Sequence, residues 1–546
     1  METFLSSRDG VVTNAIDGLI ASSGGALCRF PHESAAKIVA RTDCDRSKVA
    51  IISGGGSGHE PAHAGFVGSG MLTAAVCGEI FASPSVDAVL AAIVAMTGSG
   101  GCLLIVKNYT GDRLNFGLAA EKAKSLGHQV EMVIVADDIA IPDAVQPRGL
   151  AGTLFLHKLA GFMSERGDPL DQIASAVGAA SKRLYTIAAA RDGCTIPGNE
   201  RSKRLLGQRV EIGLGIHGEP GFEVSQFVSC ENLVEDLART LERALPETPA
   251  RYALLFNNLG GLSAIEAMTL FAIVNKTPLA AKVDLLVGPA PLMTALDMPG
   301  FSLTMFELDS LAAEALRAPV GPAFWPGTSD RRAISCIDHP QFQEPASKAS
   351  DDKNMRAIVA AVARACIQFE DEINALDAKV GDGDTGSTFA AAGKLVLERI
   401  DTLPLQDGSA LFQALSKLMT HGIGGSSGVL FAILFAGAAE HFARSHNWPQ
   451  ALSHGLQLVQ KYGGAQLGDR TMVDALKPAL DAYEAGANLA LIAQKAREGA
   501  ARTASMPKAK AGRSSYLNSD SLIGTKDPGA AAIAGIFEAL ANNLEL

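Results

Sequence analysis

The sequence is poor in aromatic residues and lacks the features that would point to a membrane or a nucleic acid. Phe, Trp and Tyr make up only 5% of its 546 residues, so the core must be built mainly from Ala, Val, Ile and Leu. No apolar run approaches the roughly 20 residues that span a bilayer. The first residues show neither a basic start nor an apolar signal core. The net charge of −11 argues against nucleic acid as the main partner. We therefore expect neither a membrane nor a nucleic acid among the partners.

The cysteines also lack the pairing that is typical of metal or redox sites. All 8 are scattered along the chain, and no Cys-x-x-Cys pair occurs. Isolated cysteines of this kind are typical of reduced residues in a protein core rather than of a disulfide framework. We therefore expect a cytoplasmic protein.

The first half of the chain alternates short apolar strands with helical stretches. Over residues 1–330 this alternation predicts an α/β fold with a mainly parallel sheet. Ligands of such folds bind beyond the carboxyl ends of the strands, so the polar loops there are candidate sites. Strands are predicted over residues 48–53, 102–107, 129–136, 210–216, 252–257, 282–287 and 302–307.

From residue 355 onward the apolar pattern is helical only. About eight helices are indicated, which predicts an all-α bundle. We expect an α/β region at 1–333 made of two α/β subdomains that divide near 185–200, a polar linker at 334–353, and an all-α domain at 354–546. The helical patterns cover residues 355–376, 387–400, 408–420, 428–445, 449–461, 472–483, 487–502 and 528–543.

Three aspartates, Asp377, Asp382 and Asp384, lie close together where the second half begins. Asp377 ends a strong helical pattern, where the helix macrodipole disfavours an anion, and the other two carboxylates should repel it. Mg²⁺ commonly joins a few carboxylates to substrate phosphates, whereas the spacing does not fit an EF-hand calcium loop. The segment therefore favours a Mg²⁺-nucleotide site. Two plainer interpretations stay open: Asp384 or Thr385 could cap the next helix, and Asp382 could be a turn residue.

Polar loops follow three predicted strands of the first half. The segment 54–61 is rich in glycine and contains His59, but it lacks the Lys-Ser/Thr of a P-loop. Its glycines could bring backbone amides close to a small polar ligand, or simply form a tight turn. Lys107 and Asp112 follow the next strand, where Asp112 could also be a helix N-cap. His217 is flanked by glycines and could be a nucleophile toward a carbonyl, a metal ligand or a surface histidine. Two histidines and an acid at strand ends form a plausible acid–base set.

The second half contains further loops suited to phosphate. The glycine-rich segment 422–428 precedes an apolar helix, whose N-terminal amides could bind phosphate, although glycine-rich helix packing is the alternative. Arg513 offers a positive fork for a phosphate. Asp469 could be a helix cap, and Asp527-Pro528 could equally start a helix. Because phosphoryl transfer needs mainly positioning and charge neutralisation, the two halves together predict a kinase.

Taken together, these motifs resemble the single-chain, ATP-dependent dihydroxyacetone kinases. The resemblance extends over essentially the whole chain, and its motifs occur in the order found in that family. The matching segments are 54–61, 107–112, 215–221, 381–386, 424–428, 468–472 and 527–530.

The resemblance implies a substrate site in the first half. His217 would form a covalent hemiaminal with the ketone of the substrate, which would distinguish short carbonyl sugars from glycerol. Asp112 would take the proton of the attacking hydroxyl, and His59 would assist by hydrogen bonding or acid–base chemistry. The implied substrate-binding residues are Gly56, Ser57, Gly58, His59, Lys107 and Asp112.

The resemblance also implies a nucleotide site in the second half. Asp377, Asp382 and Asp384 would bind two Mg²⁺ ions that bridge the phosphates of ATP. The domain would be an eight-helix barrel, and the protein would be a homodimer. The implied nucleotide-binding residues are Thr385, Gly386, Ser387, Thr388, Ser426, Ser427, Gly464, Thr471, Met472, Arg513, Asp527, Pro528 and Gly529.

One position separates the chain from a related group. Position 385 is Thr, where the phosphotransfer-system relatives usually have His. Those relatives keep the two halves on separate chains and hold ADP as a cofactor. The fusion of both halves here favours exchangeable ATP.

Three alternative functions stay open. The substrate could be a four-carbon ketose such as erythrulose instead of dihydroxyacetone. The ATP site could also split FAD into AMP and cyclic FMN, as some relatives do. A regulator that binds triose or nucleotide without catalysis is the third, but the intact His59, Asp112, His217 and aspartate cluster argue against it.

Overall fold

The structure of the protein is a computed structural model that describes residues 4–5, 7–30, 37–141, 144–199, 205, 207–339, 348–422, 425–511, 513–516 and 519–543. The chain forms two compact units, residues 1–336 and 337–546. Both β-sheets lie in the first unit, and the described part of the second unit contains helices without a β-strand. These observations confirm the predicted α/β region followed by a helical region.

The first sheet of unit 1 has six strands in the order β1-β2-β4-β3-β5-β6. Its last four strands are parallel, and β1 and β2 run antiparallel to their neighbours. The central strands β3 and β5 are buried at every position, as expected for a sheet covered on both faces. The strands are β1 (Leu27–Arg29), β2 (Ile38–Arg41), β3 (Ala50–Ser57), β4 (Ala74–Ile80), β5 (Cys102–Lys107) and β6 (Val130–Val135). The helices of this part are α1 (Val11–Ser22), α2 (Val86–Met96), α3 (Thr110–Ser125), α4 (Thr153–Arg166) and α5 (Leu170–Ser181).

The second sheet has seven strands in the order β13-β11-β10-β12-β7-β8-β9. Its strands are β7 (Leu184–Ala190), β8 (Arg209–Ile212), β9 (Glu223–Gln226), β10 (Tyr252–Asn258), β11 (Val283–Ala290), β12 (Gly300–Glu307) and β13 (Ser329–Asp330). Helices α6 (Cys230–Ala244), α7 (Ala264–Val274) and α8 (Ser310–Arg317) complete the unit. The buried core includes side chains of both sheets and of α4, which is buried from Thr153 to Gly161.

The prediction of a mainly parallel sheet is wrong for this second sheet. Only β10 and β11 pair in parallel, through the crossover helix α7, and the other described neighbours are antiparallel. No helix lies between β11 and β12, so β12 returns in the opposite direction. The strand predicted over 210–216 ends at Ile212, because Gly213 takes a left-handed φ of 73°.

The second unit consists of ten helices within its described residues. The helix predicted over 355–376 is two helices, α9 and α10, separated at Phe369, where ψ is 12°. Glu370, Asp371 and Glu372 occupy the first turn of α10, and acidic residues favour such a new N-terminus. The helices are α9 (Lys353–Gln368), α10 (Glu370–Asp377), α11 (Thr385–Arg399), α12 (Gly408–Gly422), α13 (Gly425–Ser445), α14 (Trp448–Gly463), α15 (Val473–Glu484), α16 (Leu489–Thr503), α17 (Ser519–Leu522) and α18 (Pro528–Asn543).

The longer helices of this unit contact one another in sequence. α9 packs on α11, and from α11 to α15 each helix packs on the one that follows it in the sequence. α16 packs on α18, and α18 packs on α9. An apolar cavity of about 420 Å³ lies among them, lined in part by Phe389, Phe431, Phe435, Leu476 and Ile533. None of the helices in the described ranges combines the length and apolarity needed to cross a membrane.

Candidate active site

The predicted substrate residues of unit 1 lie at or just after the carboxyl ends of strands from both sheets. His59 follows β3, and Lys107 is the last residue of β5. Asp112 lies in the first turn of α3, whose N-cap position is occupied by Tyr109, so Asp112 is not the N-cap. His217 lies in the loop between β8 and β9. The structure thus brings both histidines into contact, although they are far apart in the sequence.

His217 lies among three rings and keeps one nitrogen available. Its ring centroid is 4.8 Å from that of His59, 4.6 Å from that of Tyr109 and 5.3 Å from that of Phe81, and its side chain is 18% exposed. The distance from Nδ1 to Oε1 of Glu219 is 2.9 Å. Because an ionised carboxylate can only accept, Nδ1 carries the proton and Nε2 keeps its lone pair. This nitrogen can act as a nucleophile.

Glu219 is a site residue that sequence reasoning missed. Its Oε2 accepts a second hydrogen bond from the backbone N–H of His217 at 3.0 Å. Burial raises the pKa of Glu219, but the hydrogen bonds from His217 and the positive charge that its ring carries when protonated outweigh burial and lower it to about 2. A Cβ at Gly215 would lie 2.0 Å from Oε2 of Glu219, so a side chain there would displace this carboxylate from its present position. The Gly-Glu-Pro within 215–221 was the available signal.

His59 is fully buried and has a defined tautomer. Its Nδ1 lies 2.7 Å from the carbonyl oxygen of Thr294, which can only accept, so Nδ1 is protonated. Nε2 therefore has a lone pair, and it has no hydrogen-bond partner among the described residues. Burial, followed by the charges of Lys107 and His217, lowers the pKa of His59 well below its ordinary value. His59 is a neutral acceptor beside His217.

The glycines at the end of β3 and directly after it fit closely against neighbouring residues. A Cβ at Gly54 would lie 2.1 Å from the carbonyl oxygen of Val76, and a Cβ at Gly56 would lie 2.7 Å from the backbone nitrogen of Ala82. A Cβ at Gly58, where φ is 103°, would lie 2.7 Å from the ring of Phe81. Close packing against protein therefore explains these three glycines. Ser57 donates to the carbonyl oxygen of Gly78 at 2.8 Å.

Gly55 is the glycine that faces the polar side chains. A Cβ there would lie 3.2 Å from Oδ2 of Asp112 and 3.5 Å from Nζ of Lys107. Both side chains are buried. Burial lowers the pKa of Lys107, and the carboxylates of Asp112 and Glu219 oppose this effect. A carboxylate and an ammonium therefore both face the Cβ position of one glycine.

A second set of polar contacts fixes the loop of His217 relative to the first sheet. Arg148 binds Asp138 at 2.6 Å and donates to the carbonyl oxygen of Gly213, also at 2.6 Å. Asp137 accepts from the backbone N–H of Gly152 at 2.8 Å and from the hydroxyl of Thr186. These contacts join the loop after β6 to the strand that precedes His217.

The three aspartates of unit 2 come together as predicted from their spacing. One carboxylate oxygen from each of Asp377, Asp382 and Asp384 lies within 4.8 Å of the others. Three carboxylate oxygens at this separation suit a hard divalent cation such as Mg²⁺. Asp377 is 6% exposed, whereas the other two are exposed.

Asp377 lies at a helix C-terminus as predicted, but hydrogen bonds from the protein offset the unfavourable position. Asp377 is the last residue of α10, and its Oδ2 accepts hydrogen bonds from the backbone N–H groups of Gly383, Asp384 and Thr385 at 3.0, 3.0 and 3.1 Å. These donors lie at the N-terminal end of α11, where the macrodipole favours an anion. Asp384 occupies the N-cap position of α11, but its side chain accepts no capping hydrogen bond.

Residues 385–388 form the first turn of α11. A Cβ at Gly386 would lie 2.1 Å from the carbonyl oxygen of Glu370, so glycine lets α11 approach α10. The hydroxyl of Ser387 donates to the carboxylate of Glu370 at 3.0 Å and accepts from Asn374 at 2.9 Å. Thr388 donates to the carbonyl oxygen of Asp384 at 3.2 Å.

The loops before α15 and α18 meet. A Cβ at Gly529 would lie 3.3 Å from Cβ of Met472. Asp527 accepts from the backbone N–H of Ala530 at 2.8 Å, so it caps α18, and Pro528 is the first residue of that helix. Burial raises the pKa of Asp527 to about 6, against the effect of that hydrogen bond. The backbone N–H of Thr471 donates to Asp474 at 2.9 Å.

Arg470 links the same two loops and was missed by sequence reasoning. It is 1% exposed and donates to the carbonyl oxygen of Thr525 at 2.8 Å. The Gly-Asp-Arg-Thr-Met motif was its signal. Gly464 is the C-cap of α14, with a left-handed φ of 76°. Ser426 and Ser427 lie in the first turn of α13 and Arg513 begins a short 3-10 turn, but their side chains are outside the described residues.

Comparison with known proteins assigns both units. Residues 19–323 match the Dak1 domain, and residues 379–542 match the DAK2 domain. The chain is 46% identical to a dihydroxyacetone kinase of Citrobacter freundii and 37% identical to the triokinase/FMN cyclase of Homo sapiens, over 99% of each chain. The crystal structure of the Citrobacter freundii dihydroxyacetone kinase in complex with AMP-PNP and Mg²⁺ matches with a TM-score of 0.79 and 44% identity, and all of both chains is covered. The chain therefore belongs to the family of single-chain dihydroxyacetone kinases, with one Dak1 and one DAK2 domain.

Proposed function

We propose that the protein transfers the γ-phosphate of ATP to a hydroxyl of dihydroxyacetone. The observation that carries this proposal is His217, whose Nδ1 is held by Glu219 while Nε2 keeps a lone pair. Neighbouring Lys107, Asp112 and His59 supply a cation, a carboxylate and a neutral acceptor. The relatives named above support a kinase that uses ATP and Mg²⁺.

In the proposed reaction, His217 captures the ketone first. Nε2 adds to the carbonyl carbon, and the π electron pair of the C=O bond moves to oxygen. The Nδ1 proton of His217 moves through Glu219 and solvent to that oxygen, which leaves a neutral hemiaminal. Glu219 is the group that can accept the Nδ1 proton. Glycerol has no carbonyl carbon and cannot form this bond.

The captured substrate then presents a hydroxyl to Asp112, which accepts its proton as the oxygen attacks the γ-phosphorus. The bond from the γ-phosphorus to the β–γ bridging oxygen breaks, and ADP leaves with its electron pair. Lys107 offsets negative charge beside that oxygen, and Nε2 of His59 accepts a hydrogen bond from a substrate hydroxyl. Gly56, Ser57 and Gly58 form the wall of the pocket.

Asp377, Asp382 and Asp384 would hold Mg²⁺, and we propose two ions. Bound there, the ions neutralise the phosphates of ATP. The nucleotide would lie near the first turn of α11, Thr385–Thr388, near Thr471 and Met472, and near the start of α18 at residues 527–529. Gly464, Ser426, Ser427 and Arg513 complete the proposed set. The close approach of Met472, before α15, to Gly529, at the start of α18, supports a shared pocket.

We further propose an eight-helix barrel for the helical domain, and domain limits of 1–333 and 354–546 joined by a linker. The barrel is supported by the successive packing of α9 and α11–α16 and α18, which returns to α9. The limits are supported by the division of the chain at residue 336 and by the start of α9 at Lys353.

The protein is proposed to be a cytoplasmic homodimer. The edge strand β9 has exposed residues, and Phe222, Val224 and Val228 beside and on it are exposed apolar side chains. An exposed apolar sheet edge is a ready pairing surface. All eight cysteines are free thiols, as is usual in a reducing compartment.

A substrate panel tests the proposed reaction. Steady-state rates would be measured with ATP and Mg²⁺ for dihydroxyacetone, glyceraldehyde and both enantiomers of erythrulose, with glycerol as the control. We expect the highest kcat/KM for dihydroxyacetone and no turnover of glycerol. A higher kcat/KM for erythrulose would favour the four-carbon ketose, and no ADP release with any short ketose would refute the proposal.

A second candidate activity is the splitting of FAD into AMP and cyclic FMN at the ATP site. The full-length similarity to a triokinase/FMN cyclase favours it. Incubation with FAD and Mn²⁺, followed by chromatography, would reveal cyclic FMN. The product should disappear in Asp384→Asn, whereas His217→Ala should retain it.

A further inference from the structure

The proposed reaction leaves two buried histidines of unit 1 without a role. His63 follows β3 and His157 lies on α4, and both side chains are buried. Their ring centroids are 5.2 Å apart. Burial, followed by the positive charge of Lys107, lowers the pKa of both, that of His157 to about 3. The hydroxyl of Ser53 lies 3.4 Å from Nδ1 of His63, and Ser53 pairs with Ile105, two residues before Lys107 on β5. His63, His157 and Lys107, here called the inner polar cluster, therefore lie in one region beside the ketose site.

The hydrogen bonds of this cluster are incomplete. The hydroxyl of Ser53 donates to the carbonyl oxygen of Ile105 at 2.7 Å, so it can only accept from Nδ1 of His63, 3.4 Å away. Nε2 of His63 is then an acceptor, and it has no partner in the described part of the chain. Both nitrogens of His157 and Nζ of Lys107 also have no hydrogen-bond partner in that part of the chain.

Buried polar groups in folded proteins are nearly always hydrogen-bonded, to protein or to ordered water. The inner polar cluster offers complementary groups, since Lys107 has three donors, His63 one acceptor, and a neutral His157 one donor and one acceptor. An internal water molecule needs two to four such partners. Because no described group of the protein bonds to these atoms, a water molecule, which both donates and accepts, suits the cluster.

We propose that internal water joins Lys107 to His63 and His157, and that these two histidines thereby position the Lys107 ammonium against the ketose. This inference rests on the proposed kinase function. Neither histidine touches the substrate, so both are positioning residues. His63 and His157 act by hydrating a cation that the surrounding core would otherwise strip of water.

The charge of Lys107 depends on groups from several elements. Burial lowers its pKa, and the carboxylates around it oppose that effect. Loss of a water-holding histidine would leave the ammonium less hydrated and would lower its pKa further. The groups around it are Asp112 on α3, Glu219 after β8, Asp137 after β6, Glu60, His59 and His63 after β3, and His157 on α4.

A high-resolution crystal structure of the full chain tests the water directly. We expect at least one ordered water within hydrogen-bond distance of both Nζ of Lys107 and a nitrogen of His63 or His157. A dry cluster, or a direct bond from Lys107 to either ring, would overturn the proposal. This readout does not depend on activity, so it stands even if the protein phosphorylates no ketose.

The pH dependence of kcat/KM tests the consequence. In His157→Phe we expect the alkaline limb for dihydroxyacetone to move down by about one pH unit, with kcat/KM about tenfold lower on that limb. His157→Gln can still bind water and should recover most of the loss. An alkaline limb in His157→Phe that coincides with the parent enzyme would overturn the proposed role.

The matched control is Lys158→Met on the same helix. Lys158 is also buried, but its Nζ donates to the carbonyl oxygen of Ala315. Its loss should lower the melting temperature without moving the alkaline limb. Should His157→Phe fail to fold, His63→Leu gives the same comparison, with the same two outcomes.

Discussion

At the residue scale, the carboxylate of Glu219 determines which nitrogen of His217 can react. It accepts from Nδ1, which leaves the lone pair on Nε2. Because hydrogen bonds lower the pKa of Glu219 to about 2, the side chain stays ionised well below the ordinary glutamate range. The ionised Glu219 therefore contributes to the free energy of unfolding above its unfolded pKa near 4.5. This contribution is lost as the pH falls toward 2.

Glu219→Gln should weaken ketone capture without changing the fold. The amide can still accept from Nδ1, but it no longer stabilises positive charge on the imidazole, so we expect affinity for dihydroxyacetone to fall about tenfold. The adduct can be followed by the ¹³C shift of carbonyl-labelled substrate. Glu223→Gln, at an exposed position on the neighbouring strand β9, is the control. Equal affinities in both variants would refute this role of Glu219.

Asp384→Asn should abolish phosphoryl transfer and leave ketone capture intact. The substitution removes one charge from the three-carboxylate cluster that suits Mg²⁺. ADP release and the ¹³C shift of the bound ketone separate the two effects. Asp481→Asn, on the exposed face of α15 where Asp481 pairs with Lys477, should keep full activity. Transfer that persists in Asp384→Asn would place the cation elsewhere.

At the scale of the elements, the contact between α10 and α11 depends on one glycine. In Gly386→Ala the new methyl group would lie 2.1 Å from a backbone oxygen, so one helix must move. We expect a loss of about 1–3 kcal/mol in the stability of the helical unit. Gly463→Ala is the control, because its methyl group would meet only the side chain of Leu430, at 3.3 Å. Equal melting temperatures would contradict the close contact.

The sequence predicted elements with strong apolar patterns and missed those without them. β5 and β10 were found because Leu, Ile, Val and Phe fill them. β4 and β7 were missed because alanine, which has a low strand propensity, makes up much of each. Strand direction in the second sheet could not be predicted, since it depends on which connections contain a helix.

The residues of the candidate site were also predicted only in part. His59, Lys107, Asp112 and His217 follow strands and lie together, and the spacing of the aspartates indicated their cluster. Glu219 and Arg470 were missed because their roles depend on hydrogen bonds that only the folded loops create. Likewise, the amides that stabilise Asp377 belong to a turn whose shape the sequence does not reveal.

At the scale of the whole molecule, the ketose and nucleotide sites belong to units with separate cores. Calorimetry should therefore show two transitions. AMP-PNP with Mg²⁺ should stabilise only the helical unit, whose free energy of unfolding should rise by about 2.7 kcal/mol at a hundredfold excess over Kd. Dihydroxyacetone should raise only the unfolding temperature of the α/β unit. Asp384→Asn should cancel the first shift and keep the second, whereas a common shift with either ligand would contradict independent unfolding.

The three amides that hold Asp377 have a consequence for the timing of the catalytic cycle. They shape the aspartate loop with bonds from the protein itself, so the loop does not need a cation to keep its form. Chelation with EDTA should therefore stop turnover but leave the far-ultraviolet circular dichroism unchanged. At the proposed Mg²⁺ site, a cation that left with the spent nucleotide would therefore be replaced at a ready-formed loop, and no refolding step would delay the following round.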